Sequence, residues 1–234
     1  MNLPLPLVSC LCVTRARVRM LKRAVRCFAA QTYGRKELII VYHADDRETT
    51  TLVASLAHDS SIRGVEAQAA GTQTLGELRN LSVSQARGEY VAQWDDDDWY
   101  APERLEAQMN ALRQHPDAQA CVLRRWLLHD HLTGTAYVSG RRPWEGSLVA
   151  RRAALPSYPL LARAEDTQVI AAIARSGHLV LLDRPELYIY CYHGSNTWDR
   201  AHFERNLVAH ATRLAGPATA WVRERVGSNN EKLQ

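Results

Sequence analysis

Through the first half of this chain, short apolar runs of strand length alternate with segments whose apolar residues recur at helical spacing. Residues 7–13 form the first run. Val18, Leu21, Val25, Phe28 and Ala29 then share one helix face, which leaves the basic residues between them on the other. Residues 37–42 (ELIIVY) read as a buried strand, 48–58 as a helix with Leu52, Val53 and Leu56 turned inward, and 62–67 as a short strand. Gly71 opens a loop, residues 75–86 form a third helix, and Gly88 is expected as the left-handed residue that closes it. Residues 89–94 make the next strand. Such a series buries its apolar faces as a mostly parallel sheet covered by helices on both sides, an α/β three-layer sandwich of Rossmann-like type. Ligands of these sheets bind beyond the carboxyl ends of the strands. That rule points to Thr14 and Arg15, to residues 43–46 and to residues 95–98, all on one rim.

The second half is less regular. Residues 102–115 read as a helix with proline in its first turn. Strands are expected at 119–123, 136–139 and 146–150, a helix at 166–176 closed by Gly177, and two more strands at 178–182 and 187–192. Residues 201–214 read as a terminal helix, and the stretch after Gly227 as frayed. A length of 234 residues suits one domain, here 1–215, with a tail over 216–234. Residues 1–100 would form its ligand-binding half and 101–215 its catalytic half. Only 7% of residues are aromatic against 46% hydrophobic, so aliphatic residues and alanine are expected to do most of the packing.

A net charge of +4 is too small to indicate a nucleic-acid binder. Its distribution says more. No acidic residue precedes Glu37, while Arg15, Arg17, Arg19, Lys22, Arg23, Arg26, Arg35 and Lys36 all do. This is either a solvated helix face or a site for an anionic ligand or membrane surface. The five cysteines show no CxxC or zinc spacing, and nothing calls for an oxidising compartment. The opening apolar run lacks a basic leader and is broken by Pro4 and Pro6, so it reads as the first strand and not as a secretion signal. No stretch approaches the roughly 18 apolar residues of a membrane span. The cytoplasm is expected, with peripheral contact at the inner face of a membrane left open.

The strongest chemical signal is Asp95-Asp96-Asp97-Asp98, directly after a buried strand. Four like charges repel, and a divalent cation such as Mg²⁺ or Mn²⁺, which takes oxygen ligands and often shares them with phosphates, is their natural partner. The alternative is a solvated loop favoured by the following helix N-terminus. Trp94, Trp99 and Tyr100 around the run argue against it.

Residues 86–98 (ARGEYVAQWDDDD) resemble the central motif of family 2 glycosyltransferases of the GT-A fold, A-x-G-E-Y followed by apolar residues and D-x-D-D. Arg79-Asn80 matches that family's upstream pair. Residues 6–14, the basic helix and Gln31-Thr32-Tyr33 resemble its first strand–helix unit. The resemblance runs from about residue 6 to about 110. It implies a metal-dependent, inverting transferase using a nucleotide-diphosphate sugar, most often a UDP-sugar, and an acceptor that is a glycan or lipid-linked, as in surface-polysaccharide synthesis. By resemblance Asp95 and Asp96 face the donor, with Asp95 touching ribose or metal. Asp97 ligates the cation. Thr14, Arg15 and Arg79 hold the nucleotide. The family's aspartate after the second strand is replaced by Tyr42-His43, which leaves Asp45 as the candidate for holding the base.

Glu165-Asp166 heads a helix. Read alone, the pair could simply favour the helix dipole. A carboxylate in that place could also take the proton of an attacking sugar hydroxyl, a poor nucleophile. The family carries an E-D pair at this distance, and its Asp serves as the base. His193, at the end of a strand and followed by Gly194-Ser195-Asn196-Thr197-Trp198, is a second candidate metal ligand or a structural histidine. Trp144-Glu145 corresponds to the family's acceptor side, where an indole could stack on a sugar, although core packing would explain Trp144 equally well. A nucleotidyltransferase would show a glycine-rich loop after the first strand, and Thr14-Arg15-Ala16-Arg17 has none. A non-catalytic nucleotide- or glycan-binding domain would have no use for the acid pair.

Overall fold

The computed structural model describes residues 4–227. The chain begins β1 (Val8–Val13), α1 (Val18–Ala29), β2 (Lys36–His43), α2 (Arg47–Ser55), β3 (Ile62–Ala67), α3 (Leu75–Gln85) and β4 (Tyr90–Gln93). It continues with β5 (Trp99–Tyr100), α4 (Arg104–Gln114), β6 (Ala120–Leu123), β7 (Leu127–Asp130), β8 (Thr135–Val138) and β9 (Trp144–Arg151). Then come α5 (Glu165–Arg175), β10 (Leu179–Leu182), β11 (Tyr188–Tyr192), α6 (Arg200–His202), β12 (Thr212–Arg213) and α7 (Gly216–Gly227).

Seven strands form the main sheet in the order β10-β6-β9-β4-β1-β2-β3, parallel except for β9. The α/β expectation is met, and side-chain alternation shows why. Cys10, Cys12, Leu38 and Ile40 face one layer with Leu21 and Phe28 of α1. Leu11, Ile39 and Val41 face the other with Leu78 of α3 and Ile170 of α5. Successive strand residues point to opposite faces, so a strand covered on both sides must be apolar at every position. At the amino end of the sheet, buried Glu37 accepts from Ser9 Oγ (2.6 Å) and from the Arg87 N–H (2.8 Å). Ser9 Oγ in turn accepts from the Gly88 N–H (2.8 Å).

A second sheet, β12-β8-β7-β11-β5, lies beside the first. Its core is aromatic rather than aliphatic. Trp126 stacks on Trp144 (4.4 Å) and Tyr188 (4.7 Å), and Phe203 stacks on Tyr192 (4.4 Å). Arg104 lies within 5.3 Å of the ring centres of Trp94, Tyr100 and Tyr188.

Several expectations need correction. Gly88 does not adopt a left-handed backbone. It is a glycine because a Cβ there would come within 2.7 Å of Leu7 O and Ser9 Oγ. Gly177 does take a positive φ, 76°, after α5. The helix expected over 201–214 is cut short. α6 passes into wide π-type turns over Phe203–Val208, and the chain then extends into β12 to pair with β8. The stretch from 216, expected as a tail, folds as α7, because Val222 (0% exposed) and Val226 (1%) bury against the second sheet. Residues 1–3 and 228–234, including the part expected to fray, lie outside the described residues. Among the described residues no helix is long and apolar enough to cross a membrane.

Candidate active site

The aspartate run leaves β4 at the carboxyl rim of the main sheet, and it turns inward. Trp94 anchors the strand end, fully buried, its indole N–H donating to Ala24 O (3.0 Å). Asp96 and Asp98 are 3% and 2% exposed, which excludes a solvated acidic loop. Each carboxylate has protein partners. Asp95 receives Arg79 Nη2 (3.0 Å). Asp96 receives the Thr14 hydroxyl (2.6 Å) and Arg17 Nη1 (3.4 Å). Asp97 receives the same Arg17 nitrogen (2.9 Å) and faces His193 Nε2 (3.1 Å). Asp98 receives the Tyr188 hydroxyl and the Cys191 N–H (2.8 Å).

Environment separates the four. Burial, reinforced by the neighbouring Asp97, pushes Asp96 up to about 7. Burial likewise drives Asp98 far above the usual carboxylate range. At Asp97 burial acts the same way, but the His193 hydrogen bond and Arg17 outweigh it and hold the group low. Of these three, Asp97 is the carboxylate that Arg17 and His193 favour in its charged form.

A cleft of about 160 Å³ holds residues 95–98 together with Arg17, Arg79, Glu165 and Asp166. A cavity of about 350 Å³ adjoins it, lined by Trp126, Glu145, Gly146, Thr167, Tyr190 and Trp198 among others. Asp95, Asp98 and Asp166 border both. The acid pair divides its work. Glu165 lines the cleft but is 2% exposed and bound to Arg79 Nε (2.6 Å). Asp166 is open to both cavities, its protein contact being Gln93 Nε2 at 3.4 Å. The approach to α5 is fixed by Asn80. Its amide donates to Tyr158 O (2.8 Å) and its carbonyl accepts from Tyr158 N (2.9 Å). Ala164, just before Glu165, has a left-handed φ of 58°.

The structure thus brings together Thr14, Arg79, Asp95, Asp96, Asp97, Glu165, Asp166 and His193. It does not bring in Arg15 or Asp45. Ala16 has a left-handed φ of 51° and donates its N–H to Asp46 Oδ2 (2.6 Å). That turn sends Arg17 over the tetrad and leaves Arg15 in solvent. Asp45 is exposed on the same rim, outside both cavities, and accepts from Ala70 N (3.3 Å). Trp144 lines the larger cavity, but both of its ring faces are covered. It is 2% exposed, stacked on Trp126, with the Arg142 guanidinium 3.9 Å from its ring centre. Glu145 borders the larger cavity, and burial raises its pKa. Trp198 is the half-buried indole that lines both cavities, stacked on His202 at 4.1 Å. It stood unassigned in the segment after His193. Among the described residues no three metal-ligating side chains converge, and Asp97 and His193 meet as a pair.

A family model described as glycosyl transferase family 2 matches residues 9–129. Protein CgeD of Bacillus subtilis (strain 168) is 28% identical over 114 residues, covering 47% of this chain and 27% of that protein. An uncharacterized glycosyltransferase, RP339, of Rickettsia prowazekii (strain Madrid E) is 26% identical over 136 residues, covering 58% and 41%. Among solved structures, S. aureus TarS 1–349 in complex with UDP superposes with a TM-score of 0.63 at 16% identity, covering 80% of this chain and 60% of that one. The mannosyltransferase PcManGT from Pyrobaculum calidifontis, in complex with GDP-Man and Mn²⁺, gives 0.62 at 17% identity, covering 84% and 59%. The chain therefore spans less than half the length of these two curated relatives and about 60% of the solved chains. The structural likeness establishes the fold, that of the GT-A glycosyltransferases.

Proposed function

The chain belongs to glycosyl transferase family 2, and from that premise we propose that it moves a sugar from a nucleotide-diphosphate donor to an acceptor hydroxyl, with inversion at the anomeric carbon. The observation that carries this reading is the placement of Asp166. It is an open carboxylate bordering both the cleft of the aspartate run and the larger aromatic cavity. In this reading the diphosphate lies along residues 95–98 and the acceptor enters past Trp198 and Tyr190. Asp166 takes the acceptor proton as the new bond forms on the face opposite the departing phosphate.

Asp97 and His193 fit a divalent cation. A carboxylate oxygen and an imidazole nitrogen stand 3.1 Å apart, and the half-buried Asp97 is held low where the buried Asp96 and Asp98 are pushed up. Two protein ligands leave the remaining positions to diphosphate oxygens and water, the usual arrangement for Mg²⁺ or Mn²⁺. Held there, the ion would neutralise charge on the leaving diphosphate. Arg17 adds a fixed positive charge on the same side. The relatives in complex with UDP and with GDP-Man support a nucleotide-sugar donor, with UDP-sugars favoured here. A glycan or lipid-linked acceptor, a role in surface-polysaccharide synthesis and a cytoplasmic site at or near the membrane belong to the same proposal, by family analogy alone.

Isothermal titration with UDP- and GDP-sugars, with and without Mn²⁺, tests it. Binding strengthened by Mn²⁺ is expected. No binding to any nucleotide sugar, together with no effect of the metal, ends the reading.

A further inference from the structure

Gln93 is a polar residue where the sheet would be expected to hold an apolar one. It is the last residue of β4, a central strand, and is 3% exposed. Its backbone carbonyl accepts from Arg104 Nη2 (3.0 Å). Its side-chain amide points to the rim, where Nε2 lies 3.1 Å from Asp95 Oδ2 and 3.4 Å from Asp166 Oδ2. One amide nitrogen thus stands between two carboxylates contributed by different elements. One belongs to the aspartate run after β4 and the other to the first turn of α5. The other end of the amide, Oε1, is buried with no hydrogen-bond partner. A buried acceptor without a partner costs stability. A leucine of similar volume would fill this place without that cost. The residue is better explained by what its nitrogen holds than by what it adds to the fold.

We infer that Gln93 is a positioning residue for the base of the transfer, an inference that rests on the role proposed for Asp166. A single N–H donor shared by two carboxylates turns one oxygen of each toward itself and so fixes their orientation. Nε2 engages Oδ2 of Asp166. The carboxyl group is thereby oriented so that its other oxygen is the one left for the acceptor hydroxyl. Arg79 grips Asp95 through Oδ1 (3.0 Å), so Asp95 is held from two sides and Asp166 from one. Removing the amide should therefore free the base more than the donor carboxylate.

The test uses Gln93→Leu, Asp166→Asn and the double variant. Three quantities are followed. One is release of nucleoside diphosphate from UDP-GlcNAc or GDP-mannose into water, since water then stands in for the acceptor. The others are donor Kd and melting temperature. The Leu variant is expected to lower turnover by about 10-fold or more and to leave donor Kd within about threefold. It is expected to melt no lower than the parent. In the Asp166→Asn background the same change should cost nothing further, because effects of residues that act as one unit do not add. A lower melting temperature with unchanged turnover would make Gln93 a merely structural residue and overturn the inference. So would an equal loss of turnover in both backgrounds. If the parent binds neither nucleotide sugar, or if Asp166→Asn turns over at the parental rate, it is the reading of the site that fails.

Discussion

The two sheets hold polar groups in opposite ways. The seven-stranded sheet keeps most of its interior apolar and carries charge at its ends. Glu37 sits at one end among Ser9 and backbone N–H groups, and the aspartates sit at the other against arginines. The five-stranded sheet buries polar groups on its central strand, β7. Asp130 is fully buried, yet it is held by Arg200 (2.6 Å), Thr133 and the Leu132 N–H. His129 is 4% exposed and neither ring nitrogen has a partner. The contrast teaches where ionised groups are tolerated. At a strand end, donors and solvent are within reach. Inside a sheet, a group must be paired or kept neutral.

The comparison is sharpened first where the effect is greatest. Asp166→Asn should lower turnover by about 10²- to 10⁴-fold while donor Kd stays within about threefold, because the amide keeps the shape and loses the base. Lost donor binding would mean that Asp166 belongs to the donor cleft. On the second sheet, Phe203→Ala should cost about 3–5 kcal/mol in denaturant unfolding, since that ring is 1% exposed and stacked on Tyr192. Donor affinity should barely change. A larger effect on donor binding than on unfolding would break the division of labour between the sheets.

Acid should strike the second sheet before the first. Burial, with Arg223 adding repulsion, pushes His129 down to about 4. An unfolded histidine titrates near ~6.5, so the folded state gains stability from a neutral His129 above that pH. The gain is lost as pH falls from ~6.5 toward 4. It is worth about 2 kcal/mol once screening near the surface is allowed for. Melting curves across this range should fall less steeply for His129→Leu. Equal slopes would show that His129 takes up its proton over the same pH range folded and unfolded. The smallest effect concerns the joint between α3 and the segment leading to α5. Asn80→Ala removes both hydrogen bonds to Tyr158 and should cost about 1–2 kcal/mol. A cost below ~0.5 kcal/mol would show that this clamp is dispensable.

The same contrast explains what could be read in advance. In the first sheet β1, β2 and β3 are each followed directly by a helix, so residues 37–42 and 62–67 announced themselves by local pattern. The second sheet pairs β5 with β11 and β7 with β11 across long separations. β5 has two residues and β7 four, which is too short for periodicity to register. The site follows this division. The aspartate run and His193 could be picked out by residue type and place, while Arg79 and Asp166 were singled out through the family resemblance. Arg17 could not be told from Arg15, because the choice depends on the backbone turn at Ala16. Trp144 was named for a face open to a ligand and Trp198 was not, because only packing decides which indole is covered. Gln93 looked like any residue of a strand until Asp166, distant in sequence, was brought beside it.

Arg79 has a thermodynamic consequence. One planar guanidinium binds Glu165 through Nε and Asp95 through Nη2, and so ties the head of α5 to the aspartate run. Whatever draws Asp95 toward a bound nucleotide sugar must alter the pull on Glu165, the neighbour of the base. Occupancy on one side is then felt on the other as a change in affinity. Linkage requires the reciprocal change to be of equal size. A lysine keeps the charge without the two-pronged shape. Arg79→Lys should therefore make the two substrates bind more nearly independently of each other.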